Sequence, residues 1–230
     1  AYPHAMSKPV IEQFPLGGFQ TNCYVVRIPG EAGAAGEPCW VIDPGEDPRR
    51  VIEHLRSVGL QPSHILLTHA HADHIAGLDA VSAAFPQAKV LLHSAEHAFL
   101  EDPQLNLSAF IGMPISVRGA DGAVADGDRL RLGSTEWRVL HTPGHSPGSV
   151  TLVCDAAGEA MVGDTLFAGS IGRVDFPTSN PSHMHRSLHE VLMTLPDTVR
   201  VHPGHGPSTT IGAERRSNPW LQGDGWAEDE

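Results

Sequence analysis

The chain has no apolar run near the roughly 18 residues that a membrane-crossing helix needs, so no span is expected. Cysteine is scarce. Cys23, Cys39 and Cys154 are odd in number and show no C-x-x-C spacing, which argues against a disulfide framework or a thiolate metal site. They read as buried, reduced thiols of a cytoplasmic protein, and the N-terminus lacks the charged-then-apolar layout of a secretion signal. Positive charge is also in short supply. With 15 Lys and Arg against 27 Asp and Glu, the formal charge of −12 argues against nucleic acid or an anionic membrane as the main partner. There is no low-complexity segment and no short-period repeat.

What is present is an ordinary globular composition. The 230 residues are 40% hydrophobic and 18% charged, enough for one large domain or two small ones. The 24 Gly and 19 Pro predict many turns and loops. Residues 1–9 read as an N-terminal extension, with 1–5 ahead of Met6 resembling an expression remnant. Residues 10–218 form the domain, and 219–230 an acidic tail expected to be disordered.

The densest chemistry lies in Thr68-His69-Ala70-His71-Ala72-Asp73-His74. Ile65-Leu66-Leu67 before it reads as a buried strand, and apolar residues at 75, 78, 81 and 85 after it follow a helical period. His and Asp are good ligands for zinc and similar divalent ions, and this strand-to-helix turn offers more of them than one tetrahedral ion needs.

Around this turn the pattern predicts strands at 10–14, 21–28 and 39–42, and a helix from Pro48 to about 58, capped by Asp47 and stopped by Gly59. A strand is predicted at 89–93, a short helix at 95–101 capped by Ser94, and a long loop at 102–123 that lines the site. Strands follow at 129–132, 136–141, 149–154, 159–162 and 199–201, with helices at 181–195 and from Thr209 or Thr210 to about 216. Met184, Leu188, Val191 and Leu192 read as core, and His183, His185 and His189 as solvated or capping residues. Strands then helices, twice over, predict an α+β protein of two similar halves packed sheet on sheet, with helices outside.

Three more ligand types fall at predicted strand ends, beside glycines that permit sharp turns: His145 in Pro143-Gly144-His145, Asp164 in Gly163-Asp164-Thr165 and His205 in Pro203-Gly204-His205. Together with the first cluster they form a coherent inventory for two ions.

This set resembles the metallo-β-lactamase superfamily. Gly163-Asp164-Thr165-Leu166-Phe167, Gly169-Ser170-Ile171-Gly172-Arg173, Thr21-Asn22-Cys23-Tyr24 and Val41-Ile42-Asp43-Pro44-Gly45 resemble its glyoxalase II-like (hydroxyacylglutathione hydrolase-like) branch. The resemblance implies a four-layer αβ/βα sandwich with the site at one sheet edge. It implies that one ion takes His69, His71 and His145, the other Asp73, His74 and His205, and that Asp164 bridges them. Asp43 would orient ligands, against the plainer reading of an Asp-Pro-Gly turn. The 25 residues after His205 resemble shorter bacterial members without the C-terminal helical domain that grips glutathione.

The implied activity is hydrolysis of a small-molecule thioester such as S-lactoylglutathione. A hydroxide held by two divalent ions, zinc by default with iron or manganese as alternatives, would attack the carbonyl at a centre including Asp73 and Asp164. No Ser or Cys nucleophile is required. Arg173 is a candidate contact for an anionic substrate, with an ion pair to Asp175 as the plainer reading. Alternatives are an iron-dependent persulfide dioxygenase, a β-lactamase or lactonase, and a metal-binding protein without turnover. The sequence leaves the native substrate, the metal and the oligomeric state open.

Overall fold

A computed structural model of the chain describes residues 8–31 and 36–222. Most of the N-terminal extension, part of the stretch between the strands predicted at 21–28 and 39–42, and the acidic tail from 223 lie outside them. The first sheet is ordered β1 (Val10–Leu16), β2 (Thr21–Arg27), β3 (Pro38–Ile42), β4 (Gln61–Leu66), β5 (Lys89–His93) and β6 (Gly122–Val124). β1 to β3 pair antiparallel, as the short apolar runs predict, and β3 to β6 pair parallel. The crossover that parallel strands need is supplied between β3 and β4 by α1 (Arg49–Ser57). Between β4 and β5 it is supplied by α2 (Ala72–Ile75) and α3 (Leu78–Ala84).

The second half repeats the plan. β7 (Arg129–Leu132), β8 (Thr135–His141), β9 (Val150–Cys154) and β10 (Glu159–Gly163) pair antiparallel in chain order. A small ribbon of β11 (Leu166–Phe167) and β12 (Ser170–Ile171) follows, then α4 (Pro181–Arg186). β13 (Arg200–Pro203) returns parallel beside β10, and β14 (Thr209–Thr210) forms the outer edge before α5 (Ile211–Ser217).

Side-chain alternation divides the interior into three apolar layers. Along β2, Val25 faces Val51 and Leu55 of α1 and Leu78 and Val81 of α3, whereas Tyr24 and Val26 face the other sheet. Between the sheets, Trp40 meets Trp137 edge-on, with ring centres 5.9 Å apart. Beyond the second sheet, Val153, Ala160 and Val162 pack on Met184, Leu188 and Leu192. Four structural layers with three cores are the αβ/βα sandwich read from the sequence. Val191, expected in the core, is half-buried.

Several local expectations give way to tertiary contacts. The helix predicted from 75 begins at Ala72 and breaks at Gly77, whose amide donates to the Pro44 carbonyl (2.8 Å). A Cβ at Gly77 would overlap the Gly45 carbonyl, so only glycine fits beneath the β3 loop. Asp47 does not cap α1; it has a φ of 54° and its carboxylate clasps Arg49 at 2.5 and 2.6 Å. His93, not Ser94, caps the 3₁₀ turn Ser94–Leu100 by accepting from the Ala95 amide. The 181–195 helix is capped by Asn180, which accepts from the His183 amide, but passes through a π turn, Ser187–Val191, and a 3₁₀ turn, Leu192–Thr194. No helix among the described residues is long and apolar enough to cross a membrane.

Candidate metal centre

Five strand ends meet at one edge of the sandwich. Each delivers a predicted site residue: β3 brings Asp43, β4 the 68–74 turn, β8 His145, β10 Asp164 and β13 His205. His71 occupies the N-cap position of α2, so Asp73 and His74 ride on the first turn of a helix rather than on the loop before it. A short helix turn holds side-chain directions better than a free loop, which suits a site that needs fixed geometry.

All seven predicted donors converge. Donor atoms of His69, His71 and His145 lie within 4.8 Å of one another, as do those of Asp73, His74 and His205, and those of His69, His74 and Asp164. Asp164 stands between the first two groups. Its Oδ2 is 3.5 Å from His145 Nε2 and 3.4 Å from His205 Nε2, and its Oδ1 is 3.3 Å from His74 Nε2. Gly204 lets the His205 turn approach that carboxylate, since a Cβ there would overlap Asp164 Oδ1. Gly144, with a φ of 144°, passes so close to the Met184 backbone that a side chain would displace the His145 turn.

The electrostatics divide the cluster in two. Burial, reinforced by neighbouring imidazoles, pushes His69 well below the ordinary histidine range and His71 down to about 3; burial also lowers His145. The shifts favour the neutral, ligating form of all three rings, and His71 Nδ1 and His145 Nε2 lie 2.8 Å apart, facing each other where a cation would come between them. On the other side burial opposes charge on His74 and His205, yet carboxylates outweigh it. Asp73, Asp164 and Asp43 raise His74, and hydrogen bonds that His205 donates to Asp164 and Asp73 raise it to about 9.

Surrounding groups hold the donors in place. Asp43 Oδ2 lies 2.9 Å from His74 Nδ1 and accepts from Thr68 Oγ1, while Oδ1 accepts from the Thr68 amide at 2.7 Å. Asp43 therefore does more than close an Asp-Pro-Gly turn. Thr21 Oγ1 donates to Asp73 Oδ2 (2.7 Å), and the Arg173 carbonyl accepts from His145 Nδ1 (2.9 Å). The Asn22 amide and side chain and the Tyr24 hydroxyl donate to carbonyls of the 203–206 turn, tying the Thr21-Asn22-Cys23-Tyr24 motif to His205.

Two groups escaped the sequence reading. Glu96 is fully buried and accepts from the Ala70 and Gly148 amides and from Ser146 Oγ. Its signal, one Glu in a short apolar turn, is indistinguishable from a surface acid. Thr21 gave no sign that it would reach Asp73. The Arg173 guanidinium lies at the rim, held by Asp175 through two contacts of 2.8 Å and 4.4 Å from the Phe176 ring centre. His183, His185 and His189 lie outside the three donor groups.

Chemistry shows whether a metal suits this cluster. His69 Nε2, His71 Nε2, His74 Nε2 and Asp164 Oδ1 are buried without a hydrogen-bond partner among the described residues. Each such orphan ordinarily costs about 1–3 kcal/mol, and cations held between the donor groups would relieve those atoms that face them. Nitrogen and carboxylate oxygen, with no thiolate, suit zinc, iron or manganese.

The model of the metallo-beta-lactamase superfamily matches residues 16–205. The chain belongs to that superfamily. Its curated relatives include the probable metallo-hydrolase YqgX of Bacillus subtilis, 37% identical over 92% of this chain and 97% of that protein. The hydroxyacylglutathione hydrolase GloC of Haemophilus influenzae is 32% identical over 92% of this chain and 97% of its own. Among solved structures, the BLEG-1 B3 metallo-beta-lactamase superimposes with a TM-score of 0.87 at 40% identity, covering 93% of this chain and 100% of that one. TTHA1623, in a di-iron-bound form, superimposes with a TM-score of 0.75 at 37% identity, covering 91% and 100%. As a member of the metallo-beta-lactamase superfamily the protein is a metal-dependent hydrolase, and its His/Asp cluster has the donor geometry to hold a metal ion.

Proposed function

We propose that the protein hydrolyses thioesters at this centre, on the glyoxalase II-like side of the superfamily. The observation that carries the reading is the placement of Asp164 between two three-donor groups, at the floor of an open cleft rather than in a closed structural site. The kinship with GloC, extending over nearly all of both chains, supports the thioester.

His69, His71 and His145 would hold one divalent ion, Asp73, His74 and His205 the other, and Asp164 both. Zinc is the default metal, although the di-iron neighbour keeps iron in contention. When bound, two such ions supply Lewis acidity and lower the pKa of water to about 7. The chain's own residues position and orient. Asp43 fixes the His74 ring, the Arg173 carbonyl fixes His145, and Thr21 holds Asp73 Oδ2, the oxygen that lies 3.1 Å from His205 Nε2. Overall, the oxygen of water bonds to the carbonyl carbon, the C–S bond breaks, and sulfur leaves as a thiolate that needs little protonation. One water proton goes to the thiolate and the other to solvent as the acid ionises.

Chelator-sensitive turnover of S-lactoylglutathione or of a butanoyl thioester of N-acetylcysteamine, by zinc- or iron-loaded protein, tests this. A kcat/KM of about 10⁴ M⁻¹s⁻¹ or more on either supports it; no turnover on both, with metal bound, removes it. β-Lactam opening is a second reading, favoured by the 40% identity to BLEG-1, and a lactam assayed on the same preparation separates the two.

A further inference from the structure

Over the donor cluster lies a cleft of about 360 Å³, within the size range of small-molecule sites. Phe19, from the β1–β2 turn, Leu107, Phe110 and Ile111, from the long loop before β6, and Phe167 and Phe176 give it an apolar lining. Three of these side chains are strikingly open to solvent for their size: Phe19 is 57% exposed, Phe110 64% and Ile111 47%, with Met113 at 57% two residues further on. Six large apolar residues are exposed among the described residues, and three of them, Phe19, Phe110 and Ile111, line this cleft. Scattered exposure is ordinary, whereas clustering around a cleft marks a binding surface.

The loop is built, not slack. Leu107 has a φ of 68°, a strained value for a leucine, and both its neighbours are fixed. Asn106 is buried and its amide donates to the Phe99 and Ile115 carbonyls at 2.9 and 3.1 Å. Its Oδ1 accepts from the Ser108 amide (3.0 Å), and Ser108 Oγ accepts from the Ile115 amide (2.9 Å). The Asn106 carbonyl takes the Ala72 amide (2.8 Å), which anchors this part of the apolar lining directly to the helix that carries Asp73 and His74.

Charge points the same way. Arg173 is the only Lys or Arg among the described lining residues, and Asp175 neutralises it through two 2.8 Å contacts. For a ligand as anionic as glutathione, no other Lys or Arg side chain is offered by the described lining residues.

We infer that the cleft selects thioesters with an extended apolar acyl chain, laid against Leu107, Phe110 and Ile111, over the short hydroxylated lactoyl group; this rests on the hydrolase reading above. Each methylene that reaches these residues strengthens binding about fourfold until they are covered.

The test has a binding arm and a turnover arm. S-butyl, S-hexyl and S-octyl thioethers of N-acetylcysteamine, which cannot be hydrolysed, are titrated calorimetrically into metal-free protein. Affinity should rise about fourfold per methylene with a negative heat-capacity change. In metal-loaded protein, kcat/KM for acetyl, butanoyl, hexanoyl and octanoyl thioesters of the same thiol should climb in parallel and exceed that for lactoyl. The double variant Phe110→Ala, Ile111→Ala should flatten both slopes, while Val58→Ala, at an equally exposed apolar residue elsewhere, should keep them. Turnover with no chain-length slope, or a slope untouched by the double variant, overturns the inference. A binding slope without turnover of any thioester would leave apolar recognition standing and overturn the hydrolase reading instead.

Discussion

Glu96 and Ala70 are joined by a hydrogen bond of 2.5 Å from the Ala70 amide to the Glu96 carboxylate. The other carboxylate oxygen accepts from the Gly148 amide at 2.7 Å and from Ser146 Oγ, so one buried side chain ties the turn bearing His69 and His71 to the turn bearing His145. Burial pushes the Glu96 carboxyl above its usual range, and its donors, led by Ser146, pull it back.

Glu96→Gln turns part of that acceptor into a donor facing donors. Urea unfolding of the metal-free variant should show a loss of about 1–3 kcal/mol, together with weaker metal binding. Unchanged stability would mean that the two turns hold without this link.

Asp43 supports His74 from a backbone φ of 51°, a conformation that asparagine adopts readily. Asp43→Asn should therefore keep the fold, seen as an unchanged circular dichroism spectrum. It should weaken metal binding by about 10–100-fold in competition with a chelator. Wild-type affinity would reduce Asp43 to a turn residue.

Metal addition should stabilise the protein, because buried donor atoms of the cluster, His69 Nε2 and His74 Nε2 among them, have no partner without it. At a free concentration one hundred times Kd, one ion contributes about 2.7 kcal/mol, which for a chain of this length raises Tm by about 5–11 °C. Asp164→Ala should lose most of that shift and the turnover together. A variant that turned over fully without metal would exclude the assigned role.

The thiols of Cys23, Cys39 and Cys154 are buried, and burial raises all three, Cys39 to about 12. The folded state thus keeps protons that the unfolded chain, titrating near 8.5, gives up. Stability from this source is complete below about pH 8.5 and declines as pH rises toward the folded values. Ellman's reagent at pH 8 should find no fast thiol in native protein and three in guanidinium. A fast native thiol would reopen a nucleophile role for cysteine.

Much of the architecture was legible from short-range pattern. Val25 and Val26 point to opposite layers because strand side chains alternate, and Met184, Leu188 and Leu192 share a face because a helix repeats. What failed were elements whose boundaries depend on neighbours. Gly77 breaks the helix after the histidine turn because the β3 loop passes against it, and β6 is only three residues long, held by its pairing with β5. In the centre, the seven donors were legible because His and Asp bunch beside glycines at strand ends. Thr21 and Glu96 were not, because a single hydroxyl or carboxylate carries no sign of what it will meet.

The amino-acid order alone determined which residues carry donor atoms, which faces are apolar, and that two β-then-α halves must bury those faces against each other. These properties are local: the ligand chemistry of a side chain and the period of an element belong to a few consecutive residues. Only the tertiary structure decided that Asp164 stands between the two sets of imidazoles, that Arg173 is spent on Asp175, and that Phe110 and Ile111 overhang the site. Those relations depend on β13 returning beside β10 and on a loop without period being clamped by Asn106. Both are pairings between distant segments, which packing selects and no local pattern encodes.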